Sequence, residues 1–190
     1  MNILIIYSHP NPNSFNHAIL ETAKETFQKQ GHTVIVRDLY AMEFDPVLKP
    51  ADFELIQQGK VSQDVKTEQE FISNSDLIVM IYPIWWATMG AMLKGYIDRV
   101  FSHGFAYRYT QNGPEGLLNS KKVIIINTMG TPNTSYESMG MLDAMALTTD
   151  TGIYKFCGME IKNHIFLGAI PASTPEQRAA HLQNISTLLG

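Results

Sequence analysis

Trp85 and Trp86 are the only tryptophans in the 190-residue chain, and they stand side by side. Two adjacent indoles offer broad apolar faces. That suits a flat aromatic ligand, and it suits equally the packing of a helix onto a sheet. Two further stretches carry polar chemistry without charge. Ser8-His9-Pro10-Asn11-Pro12-Asn13-Ser14-Phe15-Asn16 gathers hydroxyl, amide and imidazole groups just ahead of a helical pattern. At a helix N-terminus, free N–H groups and the positive end of the dipole favour an anion. The stretch has no lysine or arginine, so a phosphate there would be held by amides and hydroxyls. Taken singly, Ser14 reads as well as a plain N-cap, and His9 as an ordinary loop histidine. Thr128-Met129-Gly130 opens a third, polar stretch rich in backbone donors.

The elements that must position these residues follow from apolar spacing. Residues 3–7, 33–36, 77–82, 122–127 and 160–167 read as buried strands. A helix starts at the Ser14 N-cap, carries Phe15, Ala18, Ile19, Ala23 and Phe27 on one face, and ends at Gly31. Further helical patterns cover 63–75, 89–101 and, with a break near Thr151-Gly152, 139–156. Thr174-Pro175-Glu176-Gln177 is a capping box that starts the last helix. Residues 38–60 are broken by Pro46 and Pro50 and read as a surface excursion. Residues 103–112 read as an exposed aromatic hairpin or flap, interrupted by Gly113, Pro114 and Gly116. Strands alternating with helices predict a single α/β domain over residues 1–190. Its expected core is a doubly wound, five-stranded parallel sheet of order 2-1-3-4-5 with helices on both faces. In that order the loops after strands 1, 3 and 4 meet at the topological switch, where open sheets bind ligands. The three unusual stretches occupy those three loops.

Composition removes other classes. A net charge of −4 without basic runs argues against nucleic-acid binding. One cysteine, Cys157, allows no intrachain disulfide, fits a reducing compartment and reads as a structural thiol. No stretch approaches the ~20 apolar residues of a spanning helix, and the apolar start is too short for a secretory signal, so a cytoplasmic protein is expected. G-x-G-x-x-G after the first strand, G-x-x-x-x-G-K-[ST] and G-x-S-x-G are all missing. The six histidines show no metal-ligand spacing, so no metal is expected. A phosphate site, an aromatic wall and a loop of N–H donors at one crevice are what flavin mononucleotide requires.

Ser8-His9-Pro10 with Ser14-Phe15-Asn16, Pro83-Ile84-Trp85-Trp86, Leu93-Lys94-Gly95-Tyr96-Ile97-Asp98-Arg99-Val100-Phe101, Gly104-Phe105-Ala106-Tyr107 and Phe156-Cys157-Gly158 resemble the flavodoxin-like NAD(P)H:quinone oxidoreductases. That family includes DT-diaphorase, bacterial modulators of drug activity and ancillary subunits of glutathione-gated potassium efflux systems. The resemblance implies hydride transfer from NAD(P)H to flavin N5 and two-electron, ping-pong reduction of quinones or similar aromatic acceptors. It implies a homodimer with the sites at the interface. By position, His9, Ser14, Phe15 and Asn16 would surround the phosphate and ribityl chain. Pro83, Ile84, Trp85 and Trp86 would line the isoalloxazine. Thr128, Met129 and Gly130 would bond its pyrimidine edge, with Tyr136 near O2 or N1 as the catalytic candidate. Tyr107 and Tyr109 would shape the substrate pocket. No arginine cluster for a 2′-phosphate is evident, and Arg108 is a candidate if the hairpin moves. The short length points to FMN, with FAD as the alternative found in longer members. The chain departs from the DT-diaphorase branch in having Met129-Gly130 for two glycines and no histidine within 137–150, so that branch's proton relay does not carry over intact. A regulatory role beside a potassium efflux system is the alternative reading of the same resemblance. A flavodoxin-type electron carrier fits less well, because −4 is a mild charge and the aromatic hairpin would have no use.

Overall fold

Runs of isoleucine, valine and leucine that are apolar at every position can be buried on both faces, and parallel strands covered by helices do that. The computed structural model describes residues 1–190. Its strands and helices are β1 (Asn2–Tyr7), α1 (Phe15–Lys29), β2 (Thr33–Asp38), α2 (Pro50–Gln57), α3 (Gln63–Asn74), β3 (Leu77–Trp85), β4 (Thr88–Met89), α4 (Ala91–Val100), β5 (Tyr107–Thr110), β6 (Gly113–Gly116), β7 (Lys122–Thr128), α5 (Asn133–Ser138), α6 (Met141–Ala146), a π-helix (Leu147–Lys155), β8 (Glu160–Leu167), a 3-10 turn (Ile170–Ala172) and α7 (Pro175–Leu189). The main path of the sheet is β2-β1-β3-β7-β8, all parallel. This is the 2-1-3-4-5 order expected from the sequence. Alternate strand residues feed two apolar layers. Leu4, Ile6, Ile78, Met80, Tyr82, Val123 and Ile125 pack under α4 and Tyr154. Ile3, Ile5, Val79, Ile81, Ile124 and Ile126 pack under α1 and the end of α7. Each such isoleucine stabilises the fold by roughly 1.5–3 kcal/mol. No helix is long and apolar enough to cross a membrane.

Several elements differ from the sequence reading, each for a physical reason. β3 does not stop at Tyr82. It runs on to Trp85 because β4 folds back antiparallel, pairing Ile84 with Met89 and Trp85 with Thr88. The two residues between, Trp86 and Ala87, both have positive φ, 53° and 58°. That is the geometry of a tight two-residue hairpin, normally given to glycine or asparagine. Within 38–60, Pro50 starts α2 rather than breaking the chain, since a proline at the first helical position loses no bond. Gly113, Pro114 and Gly116 do not interrupt the aromatic hairpin: they form β6, its second strand. The 139–156 pattern divides into α6, which starts after a left-handed Gly140, and the nine-residue π-helix, which runs through Thr151-Gly152 where a break was expected.

Buried charge ties the outer excursion to the body. Arg99 on α4 is 6% exposed, bonds Asp52 on α2 at 3.2 Å and Asp64 on α3 at 2.7 Å, and donates to the Asp45 carbonyl at 2.9 Å. A buried guanidinium is tolerated only with such partners.

Candidate functional site

The first group is built by the turn into α1. Asn11 N–H donates to His9 Nδ1 at 3.0 Å, and Asn13 N–H to Asn11 Oδ1 at 2.8 Å. These local bonds use up loop donors and fix its shape. His9 Nδ1 therefore accepts, and the ring proton sits on Nε2. Burial pushes the His9 pKa down. Ser14 Oγ accepts from His17 N–H at 3.2 Å and lies 3.3 Å from Tyr7 Oη. The N–H groups of Phe15 and Asn16 have no acceptor within the chain. They are the open first-turn donors that an anion would use.

Asn16 then ties this turn to β7. Its Nδ2 donates to Thr128 Oγ1 at 2.7 Å across 112 residues of sequence, while its Oδ1 is buried without a partner. Met129 is almost fully buried. Its N–H donates to the Leu167 carbonyl at 2.8 Å, and its carbonyl accepts from Ile170 N–H at 3.0 Å. So Met129 fastens the β7 end to the segment after β8, and its amide is committed there. The expected row of three donors therefore reduces to the Thr128 hydroxyl and the Gly130 N–H, which has no acceptor within the chain.

Pro83, Ile84 and Trp85 form the wall between these two groups. Trp85 is 43% exposed, and its ring lies 5.9 Å from that of His9. A side chain at Gly90 would come within 3.2 Å of the indole, so glycine there lets the ring lie against the start of α4. The cleft so bounded has a volume of about 300 Å³ and 12 lining residues. They include His9, Ser14, Phe15, Asn16, Pro83, Ile84, Trp85, Thr128, Met129 and Gly130, all singled out in the sequence. Ile170 and Pro171 complete it and were missed. Their signal was weak: the segment follows the last strand, outside the three loops that the strand order brings together.

Five expected residues are not in this cleft. Trp86 is 99% exposed at the hairpin tip. Tyr136 lies half-buried on α5 and lines no part of it. Tyr107 packs on Phe156 at 5.2 Å and lines a separate groove of about 200 Å³. Tyr109 is exposed and stacks on His103. Arg108 is bonded to Glu115 across the hairpin at 2.7 Å, so in this position of the hairpin its guanidinium is already paired. No group of histidine, cysteine, aspartate or glutamate has the geometry to hold a metal ion. The residues do fit a flavin. They supply open N–H groups for its phosphate, an indole and a proline for its ring, and a hydroxyl and an N–H for its polar edge.

A family model described as flavodoxin-like fold matches residues 1–189. A protein of Haemophilus influenzae, named an uncharacterized NAD(P)H oxidoreductase, is 37% identical over 185 residues, 96% of this chain and 91% of its own. Rat NAD(P)H dehydrogenase (quinone) 1 is 30% identical, with 95% of this chain and 73% of its own aligned. The solved NAD(P)H:quinone oxidoreductase of Methanothermobacter marburgensis superposes with a TM-score of 0.90 at 28% identity, covering 100% of this chain and 95% of that one.

Proposed function

The chain belongs to the flavodoxin-like family of NAD(P)H oxidoreductases and quinone dehydrogenases, and from that premise we propose that it holds FMN in this cleft and passes two electrons from NAD(P)H to quinones or similar aromatic acceptors. The observation that carries the reading is the cleft itself. Two open first-turn amides, an indole wall and the Gly130 N–H converge there without a lysine or arginine. Bound flavin would accept a hydride and deliver two electrons to a second substrate.

This chain's residues have separable tasks. Phe15 and Asn16 N–H, with Ser14, hold the phosphate. Trp85, Pro83 and Ile84 cover one ring face. Gly130 N–H and the Thr128 hydroxyl donate to the ring edge where negative charge gathers. The cleft is at the small end of ligand sites, which run from ~300 to ~1,000 Å³. One chain alone would therefore enclose a bound flavin only in part, leaving it accessible to NAD(P)H and acceptor in turn. Trp86, Tyr109, Met139 and Leu147 are large, apolar and exposed. A second copy of the chain would cover them and bring Tyr107, Tyr109 and Tyr136 toward the open face. The proton source in this reading is Tyr136 or water.

The test is direct. Purified protein, reconstituted with FMN and with FAD, is expected to show a flavin spectrum and to release FMN on denaturation. Without acceptor it is expected to oxidise about one NAD(P)H per bound flavin, to turn over continuously only when a quinone is added, and to run as a dimer on sizing. Protein that stays colourless with both flavins sinks the proposal.

A further inference from the structure

Beneath the strand ends that carry the cleft, three polar side chains from different elements form a buried line. His164 on β8 has a side chain only 8% exposed. Its Nδ1 lies 2.8 Å from Asp150 Oδ1 on the π-helix, and its Nε2 lies 2.8 Å from Asn127 Oδ1 on β7. Asn127 is fully buried, and its Nδ2 donates to the Tyr82 carbonyl at 3.2 Å. That carbonyl belongs to the peptide joining Tyr82 to Pro83, the first residue of the aromatic wall. Phe166 stacks on the imidazole at 4.0 Å between ring centres. The element that supplies Asp150 is itself unusual: π-helices occur mostly as single turns, often at functional sites, and this one runs for nine residues.

Counting donors shows what the line does. A carbonyl only accepts, so Tyr82 fixes Asn127 with its nitrogen toward β3 and its oxygen toward His164. A carboxylate also only accepts. Both ring nitrogens of His164 therefore face acceptors, and a neutral imidazole has one N–H. Only the charged ring makes both bonds. A neutral ring that keeps Asp150 turns a lone pair on Asn127. If the Asn127 amide then turns over, its oxygen faces the Tyr82 carbonyl and that bond is lost. The protonation of His164 is thus coupled to the grip on the Tyr82–Pro83 peptide.

Burial holds the His164 pKa below its ordinary value, and the Asp150 carboxylate pulls the other way. The other titratable groups around it are Tyr82 and Tyr154. Burial pushes both phenols up, that of Tyr82 to about 12, so they stay neutral. Lys162, two residues away on β8, is bonded to Glu160. Of the three side chains in the line, the imidazole is the one that ordinarily titrates within about a pH unit of neutral, and burial moves it down from there.

We propose that Asp150, His164 and Asn127 form a proton-operated latch. With His164 charged the latch clamps the Tyr82–Pro83 peptide, with His164 neutral it lets go, and the cleft binds its flavin more tightly as pH falls. The binding readout rests on the FMN reading above; the latch does not. By linkage, bound flavin raises the His164 pKa by the same coupling. His164 is a positioning residue, not one that touches the reacting atoms.

The test compares wild-type, H164Q and D150N proteins, stripped of flavin. FMN dissociation constants are measured between about pH 5 and pH 8, the range in which histidine titrates. The FMN phosphate titrates near pH ~6 in every variant, and His9 is shared too, so the ratio of wild-type to H164Q isolates His164. That ratio is expected to change about two- to tenfold across the range, the size of one net hydrogen bond. In parallel, imidazole nitrogen NMR follows His164 in flavin-free protein while backbone amide shifts follow Ile84 and Trp85. Those amides are expected to move with the His164 midpoint, and in D150N the midpoint is expected to fall. D150N keeps an acceptor of the same shape, so it reports even if H164Q does not fold. The latch is overturned if H164Q follows the wild-type binding profile, or if the Ile84 and Trp85 amides ignore the titration. If no variant binds FMN at any pH, the flavin reading fails and the NMR arm alone decides the latch.

Discussion

The Asn16–Thr128 bond can be weighed by a double-mutant cycle. It joins the phosphate end of the cleft to the ring-edge end, and Asn16 is 3% exposed. Replacing Thr128 with valine keeps the shape but leaves the Asn16 amide, already without a partner on Oδ1, with none at all. A buried polar group stranded in this way costs about 1–3 kcal/mol. For a chain of this size that is a drop in Tm of about 2–4 °C per kcal/mol. Asn16→Leu strands only a hydroxyl, which can rotate to another acceptor, so its polar penalty is expected at the low end of that range. The double variant strands nothing. Its stability loss is expected to fall short of the sum of the singles by about 1 kcal/mol or more, well above the ~0.3–0.5 kcal/mol of independent sites. Thermal melts of flavin-free protein supply this arm, and they do not depend on what the cleft binds. FMN titration supplies the second arm, where each single variant is expected to bind about tenfold more weakly, or ~1.4 kcal/mol. Additive losses in both arms would refute the idea that this bond couples the two ends.

Trp86 and Ala87 hold left-handed backbone at a hairpin tip. Each costs roughly 1–2 kcal/mol against glycine before glycine's own entropy is counted, so Ala87→Gly is expected to raise Tm by a few degrees with activity intact. Trp86→Gly is expected to raise Tm likewise but to lower kcat/KM for the acceptor; full activity in it would show that the exposed indole has no use. His9 titrates below its ordinary value in the fold. The unfolded chain therefore takes up the proton first, so this contribution is complete above pH ~6.5 and is lost as pH falls through that region. His9→Asn, which keeps an acceptor for the Asn11 amide, is expected to flatten that acid limb in melts between about pH 5 and pH 8, and an unchanged slope would count against it. Burial pushes the Cys157 thiol up to about 11. It is expected to resist a thiol reagent in the native state and to react on unfolding, and rapid native labelling would contradict that.

The strands were legible because residues buried on both faces leave an unbroken apolar run. The α1 turn was legible because Ser14 and the loop before it have few other uses. Other features left no local trace. An α-helix and a π-helix bury similar stripes, so the π-helix was hidden inside a helical pattern. Pro50 marks a break and a helix start with the same residue; the start is held by the Lys49 N–H donating to Asp52 Oδ2 and by Asp52 bonding Arg99. The two indoles looked equivalent until β4 prolonged β3: the pleat then turned Trp85 to the cleft and left Trp86 at the tip. Met129 looked like a donor to a ligand, yet its amide is spent on Leu167. That choice is made by the chain returning after β8, which also brings Ile170 and Pro171 into the cleft.

The same long-range logic explains why asparagine recurs at the strand ends. Parallel strands run out where a ligand must enter, and there the ladder stops supplying partners for carbonyls. A side-chain amide can close such an end by donating from its nitrogen without adding charge. Asn127 does so from β7 to the Tyr82 carbonyl of β3, and Asn133 from α5 to the Phe166 carbonyl of β8 at 2.9 Å. Asn16 does the equivalent from α1 to the Thr128 hydroxyl on β7. Lysine or arginine in these places would also donate, but each would bring a charge that must be buried or paired. Uncharged staples leave the potential of the cleft to helix dipoles and backbone N–H groups. That would suit the proposed flavin, whose ring gains and loses negative charge as it is reduced and reoxidised. The one exception is His164, whose proton is carried behind Asn127 rather than in the cleft, where it acts on the wall through a hydrogen bond and not through its field.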